Sequence, residues 1–278
     1  MSASASALTH KQLYELYYGT QDKKFEELDG SFVTPQFNEV LETRTFTYES
    51  IADNRKIKHR ISDNFRDPLG WAYANFRITP NSACTAVSLC VGGQRFQRHN
   101  LFRFQDKDIE VYDLSAGRCF PRLQWHDIDL EIETCTDTTI TISYDVVLLT
   151  NYTERYVFDI FTEQYIEPYI LNDTTENTLN CPYNHPVVRL YAYLPEDTED
   201  ARLIINGRDN NLVFTKETEH TKMFVLDFEY SINFSRIDTS VLKLKTSTPH
   251  PDKTAHVFAI TKHIALIQQG MAGLMFSK

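Results

Sequence analysis

The feature that most constrains the fold is a strict alternation of apolar and polar side chains, clearest between Phe224 and Phe234. Successive side chains of a β-strand point to opposite faces of the sheet, so this pattern buries one face and leaves the other in water. Strands of parallel sheets are covered on both faces and lack this alternation, so the pattern predicts antiparallel sheets. The apolar positions are Phe224, Leu226, Phe228, Tyr230, Ile232 and Phe234.

The same period of two recurs along most of the chain, in residues 72–78, 87–91, 128–133 and 139–148. Turn-forming pairs such as Gly92-Gly93 and Asn206-Gly207 separate such segments. A strand with its connection uses about a dozen residues, so about 245 residues hold about sixteen to twenty strands. That number exceeds one ordinary sandwich. The predicted fold is therefore all-β, with two tandem eight-stranded antiparallel jelly rolls.

The predicted organisation has three parts: an N-terminal arm over residues 1–30, a first jelly roll over 31–134 and a second over 135–278. One segment departs from the period of two. Between Glu154 and Ile166, the apolar residues Val157, Phe161 and Tyr165 recur every four positions. This spacing is typical of one face of a helix, so a short helix is predicted in the second jelly roll.

The charge balance argues against nucleic-acid binding. The 278 residues carry 28 Lys and Arg against 38 Asp and Glu, a formal net charge of −10. A nucleic-acid-binding protein needs a basic face, and the Ser-Ala-rich beginning of the chain carries no charge. The basic stretch Arg55–Arg60 alternates around Ile57 and is predicted to be an edge strand. We therefore predict no direct contact with nucleic acid.

No catalytic or metal-binding motif stands out, so the chain is predicted not to be an enzyme and to need no cofactor or metal. It has no phosphate-binding glycine loop and no His-Glu-x-x-His helix. On a strand, His126 faces away from Asp127 and Asp129, which argues against a shared metal site. The longest apolar run, Val146–Leu149, is far shorter than the roughly 20 residues of a membrane span. The scattered cysteines are Cys84, Cys90, Cys119, Cys135 and Cys181.

Seven short tracts carry a resemblance to a known family. They are Val91–Arg95, Pro121–Ile128, Leu148–Arg155, Asn184–Leu190, Ala201–Gly207, Asn233–Asp238 and Gly270–Leu274. In this order they resemble tracts of the double jelly-roll major capsid proteins of large eukaryotic DNA viruses, the irido- and phycodnavirus group. The resemblance spans about residues 85–278. The short stretch between Gly93 and Pro121 departs from the family, whose loops are longer there.

The resemblance implies a viral structural protein: a capsid subunit that forms pseudohexagonal homotrimers and tiles an icosahedral shell. It implies neighbouring capsomers and minor capsid proteins as partners, an underlying internal membrane reached through other proteins, and a place in the virion after assembly in the host cytoplasm. Two alternatives stay open: an assembly scaffold of the same fold, similar to the poxvirus scaffold, and a carbohydrate-binding β-sandwich. The family's structural motif maps to Asn184, His185, Pro186, Asn233, Phe234, Ser235, Arg236, Ile237, Asp238, Gly270 and Gly273.

Two hypotheses concern these motif residues. Arg236 falls at a position where alternation predicts an apolar side chain, so we expect it to form a partly buried pair with Asp238. The resemblance also implies that the segment from Val257 to Met275 closes the second barrel, with Gly270 and Gly273 in tight turns.

Overall fold

The computed structural model of the chain describes residues 33–51, 55–62, 67–80, 83–100, 109–110, 119–216 and 222–275. In these residues the chain is built almost entirely from strands. No helix among them is long and apolar enough to cross a bilayer. The strands are β1 (Phe37–Ser50), β2 (Lys56–Arg60), β3 (Trp71–Thr79), β4 (Cys84–Val91), β5 (Gln94–Asn100), β6 (Ile109–Glu110), β7 (Phe120–Pro121), β8 (Ile128–Thr134), β9 (Thr138–Leu149), β10 (Arg155–Tyr165), β11 (Tyr169–Ile170), β12 (Glu176–Asn180), β13 (Pro186–Tyr193), β14 (Thr198–Ile205), β15 (Arg208–Val213), β16 (Thr215–Lys216), β17 (Met223–Asn233), β18 (Ser240–Thr246), β19 (Thr254–Gln268) and β20 (Met271–Met275).

The chain divides into two compact units. The N-terminal unit comprises Gly30–Glu163 together with His263–Lys278, and the C-terminal unit comprises Gln164–Lys262. Strands β10 and β19 each pass from one unit into the other. The predicted arm over residues 1–30 lies outside the described residues.

Both jelly rolls have the same strand order. In the first, one sheet runs β1-β9-β3-β6, with β7 also paired to β3, and the other runs β2-β8-β4-β5. In the second, one sheet runs β10-β19-β13-β17-β16 and the other β12-β18-β14-β15. Each jelly roll has eight principal strands among the described residues. When these are numbered one to eight along the chain, the order in both jelly rolls is 1-8-3-6 in one sheet and 2-7-4-5 in the other. The antiparallel pairing and this order confirm the prediction of two tandem eight-stranded jelly rolls.

The boundary predicted after residue 134 differs from the observed one. Strand β9 lies directly after residue 134, and it pairs with β1 from Phe37 to Ser50 and with β3. It is therefore the last strand of the first jelly roll, and the N-terminal unit continues to Glu163. Alternation identified β9 as a strand but carries no information about its partners, which lie about 60 to 110 residues earlier in the chain.

The predicted helix over Glu154–Ile166 is wrong, because this segment forms strand β10. The spacing of four between Val157, Phe161 and Tyr165 is an even number, so it fits one face of a strand as well as one face of a helix. The segment is also rich in β-branched and aromatic residues, which favour strands. Tyr156, Phe158 and Ile160 alternate along it and are buried.

Each unit has its own apolar core, formed by the inward positions of its strands. The C-terminal core includes Leu190, Leu203 and Leu242. Strand β17 follows the alternation predicted from its sequence except at Tyr230, which is 40% exposed, and at Asn233, which is buried. The pairing of β17 with β13 shifts register between Val187 and Arg189, so Tyr230 lies where β17 leaves the regular ladder.

Candidate functional site

The motif tracts that sequence analysis singled out come together in two clusters, one in each unit. In the C-terminal unit, the Asn184–Pro186 tract meets the tract that begins at Asn233. The backbone N–H of His185 donates to Ser235 Oγ at 2.9 Å, and the N–H of Phe234 donates to the carbonyl of His185 at 3.0 Å. Pro186 pairs with Asn233 in the β13–β17 ladder. Two tracts about fifty residues apart therefore form one joint.

A short 3₁₀ turn over Phe234–Arg236 shapes this joint. The buried Asn233 caps it, since its side-chain oxygen accepts from the N–H of Ser235 at 3.0 Å. The N–H of Ile237 then donates to the carbonyl of Phe234 at 3.1 Å, which closes the turn. The buried ring of Phe234 lies 6.2 Å from the rings of both Tyr183 and Phe228. The turn thus directs one aromatic side chain into the C-terminal core and brings β17 to its end.

Two further pairs of residues, each joined by two hydrogen bonds, extend the same cluster. The N–H of Asn206 donates to the carbonyl of Thr239 at 2.8 Å, and the N–H of Thr239 donates to the side-chain oxygen of Asn206 at 2.9 Å. Asn184 exchanges two 3.0 Å hydrogen bonds with the side-chain amide of Gln164. His185 adopts a positive φ of 65°, and burial lowers the pKa of its imidazole. All these contacts hold backbone in place, and none of them positions a reactive group.

The hypothesis of a partly buried Arg236–Asp238 pair is wrong. Both side chains are exposed, and among the described residues no ion pair joins them. Arg236 breaks the alternation because the chain leaves β17 at Phe234 and enters the 3₁₀ turn, where period two no longer applies. Its side chain points to water instead of replacing a core residue.

The second cluster lies in the N-terminal unit, where tracts from the first half meet the end of the chain. His126 Nδ1 accepts a hydrogen bond from the N–H of Ala272 at 3.2 Å. The same ring lies close to Gly92, where an added Cβ would come within 3.1 Å of it. The side-chain oxygen of Gln94 accepts from the N–H of Leu274 at 3.4 Å. This nitrogen of His126 therefore serves as a structural acceptor that holds the backbone of the terminal strand.

The β19–β20 hairpin places Gly270 against the β7–β8 loop. Its carbonyl accepts hydrogen bonds from the backbone N–H groups of Gln124 and Trp125, at 3.0 and 3.1 Å. The φ of Gly270 is +76°, and an added Cβ would lie 2.6 Å from Gln124 Cβ, so only glycine fits. Gly273 differs from the expectation of a second turn residue, because it lies within β20 and pairs with Leu266.

The segment from Val257 to Met275 only partly follows its expected role. Strand β19 is the last principal strand of the second jelly roll. Its end and β20 belong to the N-terminal unit, where Ala265, Ile267 and Ala272 join the core. The apolar pattern marked these residues as buried, but it did not show in which core.

The Leu148–Arg155 tract also lies in the N-terminal unit, with Asn151 at its centre. Asn151 Nδ2 donates to the carbonyl of Thr34 at 2.7 Å, and its Oδ1 accepts from the N–H of Gln36 at 2.9 Å. The hydroxyl of Tyr156 donates to the carbonyl of Asn151 at 3.1 Å. A single amide thereby joins the start of β1 to the connection between β9 and β10.

The basic stretch at residues 55–60 is neutralised within its own sheet. Strand β2 is an edge strand, as predicted, and its Lys56, Lys58 and Arg60 stand opposite Glu133, Glu131 and Asp129 of β8. Hydrogen bonding to Asp129, 3.0 Å away, raises the pKa of the Lys58 ammonium. On the other side of β8, Arg98 binds Glu133 through two 3.0 Å hydrogen bonds and lowers the pKa of that carboxyl. Such a ladder leaves little free positive charge for a polyanion.

Four of the five cysteines are buried structural groups, whereas Cys135 is exposed. Burial raises the pKa of the thiols of Cys84, Cys119 and Cys181 to about 12 and that of Cys90 to about 11. Since the thiolate is the nucleophilic form, these side chains are poorly reactive near neutral pH. Among the described residues, no group of three or more His, Cys, Asp or Glu side chains is arranged to hold a metal ion.

Sequence reasoning missed two polar contacts. In the N-terminal unit, the buried carboxylate of Asp67 accepts two hydrogen bonds from Arg44, at 2.9 and 2.6 Å, and one from the hydroxyl of Tyr73 at 2.7 Å. In the C-terminal unit, Asp197 lies at the wall of a cleft of about 770 Å³, with His250 Nε2 2.5 Å from its carboxylate. Neither contact has a local sequence signal, because the partners lie 23 and 53 residues apart.

Comparison with known proteins identifies the fold. No model of a known family matches the sequence, and no curated protein matches it either. The structure is similar to the crystal structure of VP54 of PBCV-1, fitted into a reconstruction of the virophage Sputnik, with a TM-score of 0.61 and 14% sequence identity. The match covers 90% of this chain and 100% of VP54, and the quasi-atomic model of the PBCV-1 capsid matches equally well. The chain therefore has the double jelly-roll fold of these viral capsid proteins.

Proposed function

We propose that the chain is a structural subunit of a viral capsid, which forms trimers that tile an icosahedral shell. The observation that carries this proposal is the repeated strand order of the two jelly rolls, together with the structural match that covers all of the VP54 chain compared. The seven tracts that resemble the capsid family add support, because each lies in one of the two structural clusters or in a strand connection next to them.

The repeated topology explains how such a subunit would work. Two similar barrels per chain become six in a trimer, so three copies around a threefold axis present an outline close to a hexagon. Hexagonal outlines fill a surface without gaps. The function then lies in the outer walls and loops of the barrels and requires no reactive group.

The motif residues take structural roles under this proposal. The joint at His185, Phe234 and Ser235 holds the end of β17 against the start of β13, and Gly270 holds the terminal hairpin against Gln124. Rigid joints of this kind keep the barrel walls in a fixed geometry. A tile needs that geometry in order to meet its neighbours correctly.

The proposed partners are two further copies of the chain, neighbouring capsomers and minor capsid proteins. The proposed location is the virion, after assembly in the host cytoplasm. Direct contact with nucleic acid is not part of the proposal. The net charge of −10 and the neutralised ladder around β8 support this choice.

The mass of the purified protein in solution tests the proposal. One chain has a mass of 32.3 kDa, so a trimer has three times that mass, about 97 kDa. We expect light scattering to give the trimer mass and negative-stain images to show hexagonal outlines. A protein that stays at the mass of one chain at every accessible concentration would refute it and would favour the carbohydrate-binding alternative.

The scaffold alternative shares the fold and the trimer, so mass does not separate it from a capsid subunit. Its distinguishing property is release during maturation. We expect the chain in mature particles, at a copy number that accounts for the whole shell. Its presence in immature particles alone would assign it to the scaffold class.

A further inference from the structure

Five of the large apolar side chains that are exposed in the described residues lie at one end of the N-terminal jelly roll. They stand on the loops before β3, between β7 and β8 and between β9 and β10, at the end of β9, and at the start of β20. Large apolar groups gathered on a surface mark a place of interaction. We call this group the apolar tip. Its members are Leu69, Trp125, Leu148, Tyr152 and Met271.

Backbone contacts show that these residues are neighbours. The N–H of Trp125 donates to Gly270, the residue before Met271, at 3.1 Å. A Cβ added at Gly70, the residue after Leu69, would lie 3.8 Å from the ring of Tyr152. The two groups are linked because the N–H of Gln269 donates to the carbonyl of Glu154 at 3.0 Å.

The backbone that carries Trp125 is held by hydrogen bonds, although its side chain faces water. The indole of Trp125 is 66% exposed, yet the backbone beneath it is fixed by two hydrogen bonds to Gly270. An aromatic side chain of this size exposes a large apolar area. The backbone hydrogen bonds hold this exposed side chain on an ordered loop. An exposed aromatic side chain in a fixed position favours a binding role.

Among the described residues, the tip carries little exposed charge for a chain in which 24% of residues are charged, and the nearby Arg122 and Arg155 are half-buried. The exposed neighbours Gln124, Thr150 and Gln269 are neutral, and the carboxylate of Asp127 is paired with Arg60 at 2.9 Å. Glu154 supplies an exposed charge. A protein interface is usually oriented by complementary charges at its rim, and this surface offers few.

We propose that the apolar tip inserts into the interfacial region of a lipid bilayer. Trp125 and Tyr152 have the amphipathic rings that favour the headgroup level, whereas Leu69, Leu148 and Met271 would face the acyl chains. Because the tip is nearly neutral and the chain is acidic, binding needs zwitterionic lipid and gains nothing from anionic lipid. This inference goes beyond the proposed capsid role, in which other proteins make the membrane contact, and it does not depend on assembly.

Flotation of the full-length protein with phosphatidylcholine vesicles tests the proposal. We expect the protein to float with these vesicles to the same extent at low and high salt, and no better when phosphatidylserine is added. Trp125→Ala keeps the backbone hydrogen bonds, so it should weaken partitioning about tenfold without unfolding the chain. The matched control is Ile170→Ala, which removes a side chain that is 68% exposed in the C-terminal unit and should leave flotation unchanged.

A second measurement, of tryptophan fluorescence, does not depend on whether Trp125→Ala folds. In a Trp71→Phe background, Trp125 is the remaining tryptophan, and brominated phosphatidylcholine should quench its fluorescence. Absence of both flotation and quenching would overturn the proposal. Binding that requires anionic lipid and disappears in salt would also overturn it. If Trp125→Ala lowers the solution mass but not flotation, the tip is a protein interface, and the membrane proposal fails while the capsid proposal stands.

Discussion

The N-terminal unit buries charged side chains, whereas the C-terminal unit does not bury them among its described residues, although both jelly rolls have the same strand order. Asp67, Asp129, Asp145 and Glu163 are all buried in the N-terminal unit. Among the described residues, the C-terminal unit buries only neutral polar side chains such as Asn233, and its ion pairs are exposed or, for Asp197 with His250, half-buried. One topology is thus compatible with two kinds of interior, so strand order does not dictate which interactions stabilise a jelly roll.

The comparison predicts that removing one buried charge destabilises the N-terminal unit far more than removing an exposed charge destabilises the C-terminal one. Asp67→Ala should lower the free energy of unfolding by about 3–5 kcal/mol, because it removes the buried partner of the largely buried Arg44 and leaves only its pair with the more exposed Glu42. Asp67 hydrogen bonding also raises the pKa of the Arg44 guanidinium, which shows how closely the two are coupled. The control, Asp200→Ala, breaks a solvent-exposed pair with Arg202, which also lies 3.5 Å from Asp209, and should leave the free energy of unfolding nearly unchanged.

Urea unfolding followed by circular dichroism measures both variants. Equal losses for Asp67→Ala and Asp200→Ala would contradict the proposed difference between the two interiors.

A second prediction sharpens the comparison at the terminal hairpin, with two glycines only three residues apart. Gly270→Ala should lower the free energy of unfolding by about 1–3 kcal/mol, because its Cβ would overlap Gln124 and its φ is positive. Gly273→Ala should be neutral or stabilising by about 0.5–1 kcal/mol, because nothing lies within 4 Å of the added atom and alanine loses less entropy in a strand. Thermal midpoints of the two variants test this, and a reversed order would refute it.

A third prediction concerns the joint of the C-terminal unit. Ser235→Ala removes the acceptor for the N–H of His185, so it should cost about 1 kcal/mol, the usual contribution of one hydrogen bond. Arg236→Ala, at the next position, removes an exposed side chain and should change neither the thermal midpoint nor the trimer yield. If Arg236→Ala proved the more damaging variant, the joint would have been wrongly placed.

The smallest effect is expected at Asp197, whose contribution should depend on pH. Hydrogen bonds from His250 and then Thr248 lower the pKa of this carboxyl to about 2. Because the folded pKa lies below the ordinary value of 3.8, the carboxylate stabilises the folded state above about pH 4. This contribution is lost as the pH falls toward 2. Asp197→Asn should therefore be less stable than wild type at pH 7, with the difference vanishing in acid.

Stability measured at several pH values checks that prediction. Asp238→Asn is the matched control, since Asp238 is exposed and forms no ion pair among the described residues. A difference between Asp197→Asn and wild type that persists unchanged at pH 2 would contradict the assignment.

Much of the fold was predictable from local patterns. The alternation and the turn pairs predicted the fold class correctly, and they placed strands β3, β4, β8, β9 and β17. The exceptions have a common cause. The spacing of four in β10 suits both a strand and a helix, and the pattern of β9 does not reveal that it belongs to the first jelly roll. Local periodicity reports the conformation of a segment but not the identity of its partners.

The candidate site was less predictable than the fold. Sequence analysis named the residues of the joint and of the terminal hairpin through a resemblance, but it did not bring Ser235 to His185 or Ala272 to His126. It also paired Arg236 with Asp238, which the 3₁₀ turn keeps apart. Trp125 lies in one of the seven tracts, but its exposure was not predicted, because the local pattern does not distinguish an exposed tryptophan from a buried one.

The sequence by itself determined that the chain forms antiparallel sheets with one buried face, since side-chain direction on a strand depends only on neighbouring positions. Tertiary structure alone decided which strands pair, which core receives the end of the chain and which motif residues touch. Those contacts join residues 50 apart at Ser235 and His185 and 146 apart at Ala272 and His126. Pairing at such distances follows from the closure of whole sheets, and no local pattern of apolar residues encodes it.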